Sequence, residues 1–118
     1  MTILYGIANC DTIRKTRKWL EQQNHDYEFH DYKKSGCSPA LAKTLIAQFG
    51  IDQIINKRGT TWRKLPEAER EPLNEERAAI LMQQQPSLIK RPVLRVDDQW
   101  LLGYDIDRMS ALLDQDSK

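Results

Sequence analysis

This chain of 118 residues predicts an α/β domain, on three observations. A short apolar strand at the N-terminus passes through Gly6 into a helix and then a second strand. The middle third has helical periodicity punctuated by prolines, and a β-hairpin followed by an apolar-faced helix completes the pattern.

Taken in order, Thr2-Ile3-Leu4-Tyr5 makes the first strand, because β-branched and aromatic side chains suit a pleated, half-buried surface. A helix over 12–23 follows, with Ile13, Trp19 and Leu20 as its core contacts. Residues 27–31 form the second strand, joined to the first by a right-handed crossover. Lys33-Lys34-Ser35-Gly36 reads as loop. Ser38 before Pro39 is an N-cap followed by proline at N1, Leu41, Leu45 and Phe49 recur at i, i+4 and i+8, and Gly50 is the stop. Between 51 and 73 the period breaks, and short helical turns and loops are expected. Asn74 can cap a helix over 75–84, whose acidic first residues suit the helix dipole and which Pro86 closes. Val93 to Val96, a turn at Asp97-Asp98-Gln99 and a strand over 100–103 make the hairpin. Asp105 caps a last helix carrying Ile106, Met109, Leu112 and Leu113, and 114–118 is expected to fray. The order βαβ, helices, ββα is compatible with a thioredoxin-like layer of four strands between helices. Spacing alone leaves other α/β arrangements open.

An apolar content of 40% at this length allows one compact domain over 1–118, with a helical insertion at about 38–86. Eighteen basic against 17 acidic residues leave a net charge of +1, so no global field points to nucleic acid or membrane. The apolar start is too short for a signal peptide, and no stretch reaches membrane-spanning length. A cytoplasmic location follows as the expectation, in which Cys10 and Cys37 are thiols.

Cys10 is the candidate nucleophile. It sits between the first strand and the helix starting near Asp11 and Thr12, where free N–H groups and the helix dipole favour an anion. Most free cysteines behave as small buried hydrophobes, but Asn9 on one side and Asp11-Thr12 on the other favour exposure. Making such a thiol mostly thiolate at neutral pH takes roughly 3 kcal/mol, of which one helix end supplies about 1 kcal/mol. A further cation is needed. Arg14, in the basic run Arg14-Lys15-Thr16-Arg17-Lys18, is near enough in sequence, and others could arrive through folding. By itself that run reads as a solvated basic face.

Other chemistries lack their residues. Cys10, Cys37, His25 and His30 have no metal-ligand spacing, and no Gly-rich phosphate loop, nucleophile elbow or close carboxylate pair with matching context occurs. Trp62, Trp100 and Phe49 read as packing residues.

Three short motifs in a fixed order carry a resemblance over nearly the whole chain: Asn9-Cys10-Asp11-Thr12-Ile13-Arg14, then Asn56-Lys57-Arg58-Gly59, then Leu88-Ile89-Lys90-Arg91-Pro92 ahead of the hairpin. With them the chain resembles the ArsC-like branch of the thioredoxin superfamily, which includes arsenate reductases, Spx-type regulators and YffB-type proteins. Gly103-Tyr104-Asp105 looks most like the last two. The resemblance implies a thioredoxin-like fold, a four-stranded mixed sheet with flanking helices and a helical insertion between its βαβ and ββα halves. It also implies Cys10 as nucleophile, Arg58 and Arg91 flanking it, and a cis peptide at Pro92. Two guanidinium groups stabilise a thiolate and orient an oxyanion or a carboxylate. The backbone of Arg91 beside Pro92 would then pair with an extended thiol peptide, glutathione foremost.

Departures from the family separate its branches. Arsenate reductases of this type carry an arginine where this chain has Gly103, leaving an oxyanion site one cation short unless Arg14 or Arg95 substitutes. Spx-type switches carry a second cysteine where this chain has Ile13, so no disulfide can form within that motif. Cys37 reads as a passive loop cysteine, with a resolving thiol 27 residues downstream of Cys10 as the alternative. The expected activity is therefore a glutathione-dependent thiol reductase with one nucleophilic cysteine, in which Cys10, Arg58 and Arg91 do the chemistry and Thr12, Ile13, Arg14 and Pro92 contact substrate. Arsenate reduction with glutathione or glutaredoxin, and an Spx-like regulator binding RNA polymerase without turnover, are the alternatives. No bound cofactor or metal is expected. Glutathione is the co-substrate, a small-molecule or protein disulfide the substrate, glutaredoxin a further partner, and the chain a monomer.

Overall fold

The structure is a computed structural model that describes residues 1–116. Its elements fall into two compact units, one formed by 1–35 with the segment from 91 onward, the other by Gly36–Lys90.

In the first unit, β1 (Thr2–Gly6) lies inside a four-stranded sheet of order β2-β1-β3-β4. It runs parallel to β2 (Glu28–Asp31) and antiparallel to β3 (Val93–Val96), which pairs antiparallel with β4 (Gln99–Leu102). Such a mixed sheet with flanking helices is the thioredoxin-like α/β arrangement. Leu4 pairs with Leu94 in register, and both bury against Trp19 and Leu20 of helix α1 (Asp11–Gln22) and against Met109 and Leu113 of the last helix. Alternation along β1 places Leu4 in this core, so the strand and the amphipathic α1 are held by apolar burial on one face of the sheet.

Gly6, the last residue of β1, is glycine for a steric reason. A Cβ there would stand 2.3 Å from Ile13 Cδ1 and 2.7 Å from Cγ1. Ile13 is fully buried. Gly6→Ala is therefore expected to cost about 1–3 kcal/mol, the usual penalty of overpacking, read as a lower midpoint in chemical denaturation.

Two expectations for this unit need correction. Lys33-Lys34-Ser35-Gly36 is not all loop, because Tyr32–Ser35 forms a single helical turn, α2. Buried Tyr32 anchors it, the Asp31 carboxylate accepts the Lys33 N–H at 2.9 Å, and Gly36 turns away at φ +72. Local charge and Ser-Gly composition hide that cap.

The second unit starts with α3 (Pro39–Phe49), where the Ser38 hydroxyl accepts the Leu41 N–H at 3.1 Å and Pro39 occupies the first turn, as expected. Its buried stripe is Ala42, Leu45 and Ile46, with Leu41 and Phe49 only half-buried, so the inward face lies beside the row that the i, i+4, i+8 pattern suggests. After the short turns α4 (Ile51–Ile54), α5 (Thr60–Lys64) and α6 (Glu67–Arg70) comes α7 (Glu75–Gln84), whose Asn74 cap accepts the Arg77 N–H at 2.8 Å. The helix α3 packs on α7. Leu65, Leu81 and Leu88 form a small core on which Trp62 and Leu73 pack. Pro86 opens a 3-10 turn, and Ile55 bridges Ile89. Sequence reasoning missed the cis Glu71–Pro72 peptide in this unit.

Back in the first unit, the hairpin turns on Asp97 and Asp98, with Gln99 already in β4. The last helix, α8 (Ile106–Asp116), has Asp105 Oδ1 accepting the Arg108 N–H at 3.1 Å. This is the second correction: the helix continues through Asp116, past the point where fraying was expected, and Ile106 is 44% exposed because it precedes the stripe of Met109 and Leu113. Ser117 and Lys118 lie outside the described residues.

Candidate active site

Cys10 is the N-cap residue of α1, with extended backbone and a half-buried thiol. Burial pushes its pKa up. The Ile13 N–H, the Arg91 guanidinium and the Thr12 N–H push it down, with a further Coulombic contribution from Arg91, and together they leave it below the ordinary thiol value. The neutral thiol makes no capping hydrogen bond, so the amides act chiefly on the anion. The second and third N–H groups of a helix have no partner within it, and a negative sulfur at the N-cap gives them one.

The Ile13 amide is positioned from two sides, since its side chain is sealed in the core against Gly6 and its backbone is in the first turn of α1. Sequence reasoning read Gly6 only as the exit from the strand. A small residue facing the first apolar position of the next helix was the available signal.

Arg91 precedes buried Pro92 through a cis peptide, as the resemblance implied, and β3 starts at the next residue. The Pro92 carbonyl accepts the Gly103 N–H at 2.9 Å, tying the Arg91 segment to the end of β4. Sheet pairing thus delivers a guanidinium to a helix terminus 81 residues earlier in the chain.

Arg14 is placed otherwise than its charge suggested. Its guanidinium bonds the Asp11 carboxylate and, at 2.5 Å, the Asn9 side-chain oxygen. It therefore braces the residues on either side of Cys10. Charge counting along a sequence carries no side-chain direction, and an aspartate three residues away competes for the same cation. Thr12 is half-buried, and its carbonyl accepts the Thr16 hydroxyl at 2.7 Å.

Arg58 belongs to the second unit, exposed, with its N–H donated to Asn56 Oδ1 at 3.2 Å. Cys37 is buried in the same unit, and burial pushes its thiol up to about 11. Burial thus favours the neutral thiol at Cys37, whereas the surroundings of Cys10 favour its thiolate. His25 shares a hydrogen bond of 2.8 Å with Thr2 Oγ1, and His30 sits beside the Tyr5 ring. Trp100 also stacks on Tyr5, at 5.6 Å. Among the described residues, no group of three or more His, Cys, Asp or Glu could hold a metal ion, and no helix is long and apolar enough to cross a membrane.

The ArsC family model matches residues 5–112. A solved YffB protein is 42% identical and superposes with a TM-score of 0.92, covering 96% of this chain and 99% of its own. An arsenate reductase (ArsC) related protein from Brucella melitensis is also 42% identical, with a TM-score of 0.74 over 93% of this chain and 92% of its own. An uncharacterized protein of Haemophilus influenzae is 39% identical over 89% of this chain and 92% of its length. The global transcriptional regulator Spx of Listeria innocua is 28% identical over 96% of this chain and 87% of its length. With a family match over this span, the chain belongs to the ArsC family.

Proposed function

We propose that this protein is a glutathione-dependent thiol reductase of the cytoplasm, acting as a monomer through the single nucleophile Cys10. The observation that carries the reading is the convergence of two helix amides and one guanidinium on a half-buried sulfur whose pKa they lower. The Cys10 thiolate attacks one sulfur of a small-molecule or protein disulfide. A new S–S bond to Cys10 forms as the old one breaks, and the released thiolate takes a proton from water. Glutathione then displaces the bound substrate thiol, leaving glutathione on Cys10, and a second glutathione frees Cys10 as oxidised glutathione. Two electrons pass from glutathione to the disulfide.

In this scheme Arg91 holds Cys10 ionised and meets a glutathione carboxylate, and Arg58 is a second carboxylate contact, a role drawn from the resemblance. The Thr12 and Ile13 amides receive charge at sulfur, Arg14 fixes the loop on which substrate rests, and the backbone at Pro92 aligns the peptide. No bound cofactor is required, and glutaredoxin is a further thiol donor for the same mixed disulfide. Gly103, where arsenate reductases of this type carry arginine, disfavours arsenate as substrate. The Spx relatives support a second reading, a regulator of transcription that does not turn over. Ile13 in place of a second cysteine removes a redox switch within the helix motif from that reading.

The test is incubation with oxidised glutathione followed by mass spectrometry. A single adduct on Cys10, reversed by reduced glutathione, is expected. Modification of Cys37 instead, or of neither cysteine, would refute the monothiol cycle.

A further inference from the structure

The first unit carries a second feature at the same end of α1. The Lys15 ammonium lies 5.9 Å from the centre of the Tyr104 ring, and Tyr104 is 38% exposed. Tyr104 follows Gly103, whose N–H holds the Pro92 carbonyl, and Pro92 follows the arginine that stabilises Cys10. These links close a ring that runs from Cys10 through Arg91, Pro92, Gly103 and Tyr104 to Lys15 and back along α1. Gly103 stands in it at φ +100, with nothing within 4 Å of the position a Cβ would take. The Cβ side of Gly103 is thus open, with the Tyr104 ring next to it in the chain and the exposed Lys15 ammonium over that ring. The neighbouring anions are engaged, Asp11 by Arg14 and Asp105 by the Arg108 N–H and guanidinium.

We infer that Lys15 and Tyr104 form a substrate lip selecting acidic peptides whose cysteine is in mixed disulfide with glutathione. This deepens the thiol-reductase reading and rests on it. The open side of Gly103 leaves room for an extended chain to lie beside Tyr104. Tyr104 offers a flat apolar contact, and Lys15 pairs with a carboxylate beside the peptide's cysteine. In the reaction the Cys10 thiolate attacks the glutathione sulfur, the peptide sulfur leaves as thiolate and takes a proton from water. Free glutathione thiolate then attacks the Cys10 adduct, yielding oxidised glutathione and regenerating Cys10. The two electrons that reduce the peptide sulfur come from glutathione.

The test uses the full chain with two S-glutathionylated peptides, one with glutamate and one with lysine on both sides of the cysteine, and hydroxyethyl disulfide as a small substrate. Formation of oxidised glutathione is followed in each case. At low salt the glutamate peptide is expected to show a kcat/KM about tenfold higher than the lysine peptide, a gap that narrows as salt screens the lip. In Lys15→Glu the ratio of the two peptides falls to one or below. In Tyr104→Ala both peptides lose more kcat/KM than hydroxyethyl disulfide does. Equal turnover of the two peptides by the wild type, or a preference that survives Lys15→Glu, would overturn the lip while hydroxyethyl disulfide reduction leaves the reductase reading standing. Absence of turnover on all three substrates would overturn that reading and the lip with it.

Discussion

Cys10→Ser is expected to abolish disulfide reduction, with turnover falling about a thousandfold or more, to the uncatalysed background. A serine hydroxyl stays protonated at neutral pH and forms no mixed disulfide, so neither half of the cycle survives. Loss of fold does not explain the result, because serine is among the favoured N-cap residues and its oxygen can accept from the Thr12 and Ile13 amides. The variant should stay folded, within about 1 kcal/mol of the wild type, while failing to consume glutathione in a coupled assay. Turnover that persists in Cys10→Ser would remove the nucleophile from the scheme.

Arg91→Ala has the next largest expected effect. Burial of Cys10 opposes ionisation, and Arg91 acts against it both as a hydrogen-bond donor and as a charge. A hydrogen bond to a charged group contributes about 1.5–3 kcal/mol, so reaction of Cys10 at neutral pH should slow about ten- to a hundredfold. The sign with pH follows from the thiolate being the reactive species. Without Arg91 the thiol pKa rises, the deficit is largest at and below neutral pH, and it closes as pH climbs past the variant's own pKa. The raised basicity of the freed thiolate adds to the recovery, since nucleophilicity rises with pKa. Arg91→Lys should fall between, keeping the charge and losing the planar donor fork. Stopped-flow alkylation of the three proteins across pH reads the difference directly. A deficit constant across the whole range would mean that Arg91 serves something other than ionisation.

The site's main axis was readable because it lies in local chemistry. A strand, a glycine and a polar step into an amphipathic helix place Cys10 at a helix N-terminus, and capping rules say what that does to a thiol. The need for another cation was readable too, from the mismatch between one helix end and the stabilisation required. Which cation meets it was not a local matter. Arg14 is four residues away and binds Asp11 and Asn9, whereas Arg91 is 81 residues away and comes through the pairing of β1 with β3. Only the order of motifs pointed to it. The same contrast explains the fold. Ser38, Asn74 and Asp105 announce three helices by their caps, and the Val93–Val96 hairpin by its alternation. The turn Tyr32–Ser35 depends on a buried aspartate before it, and the steric role of Gly6 depends on Ile13 across a loop. Both are tertiary facts written in residues that look ordinary in sequence.

A thiol that ionises more readily folded than unfolded also ties charge to stability. The contribution is present above the unfolded pKa and fades as pH falls through the folded one. All of this depends on the charge state of one sulfur. The most direct measurement is the rate of iodoacetamide reaction at Cys10 as a function of pH, resolved by mass spectrometry from any reaction at Cys37. The account predicts an inflection clearly below the ordinary thiol value, with Cys37 silent until strongly alkaline pH. An inflection at or above about 8.5 would contradict it.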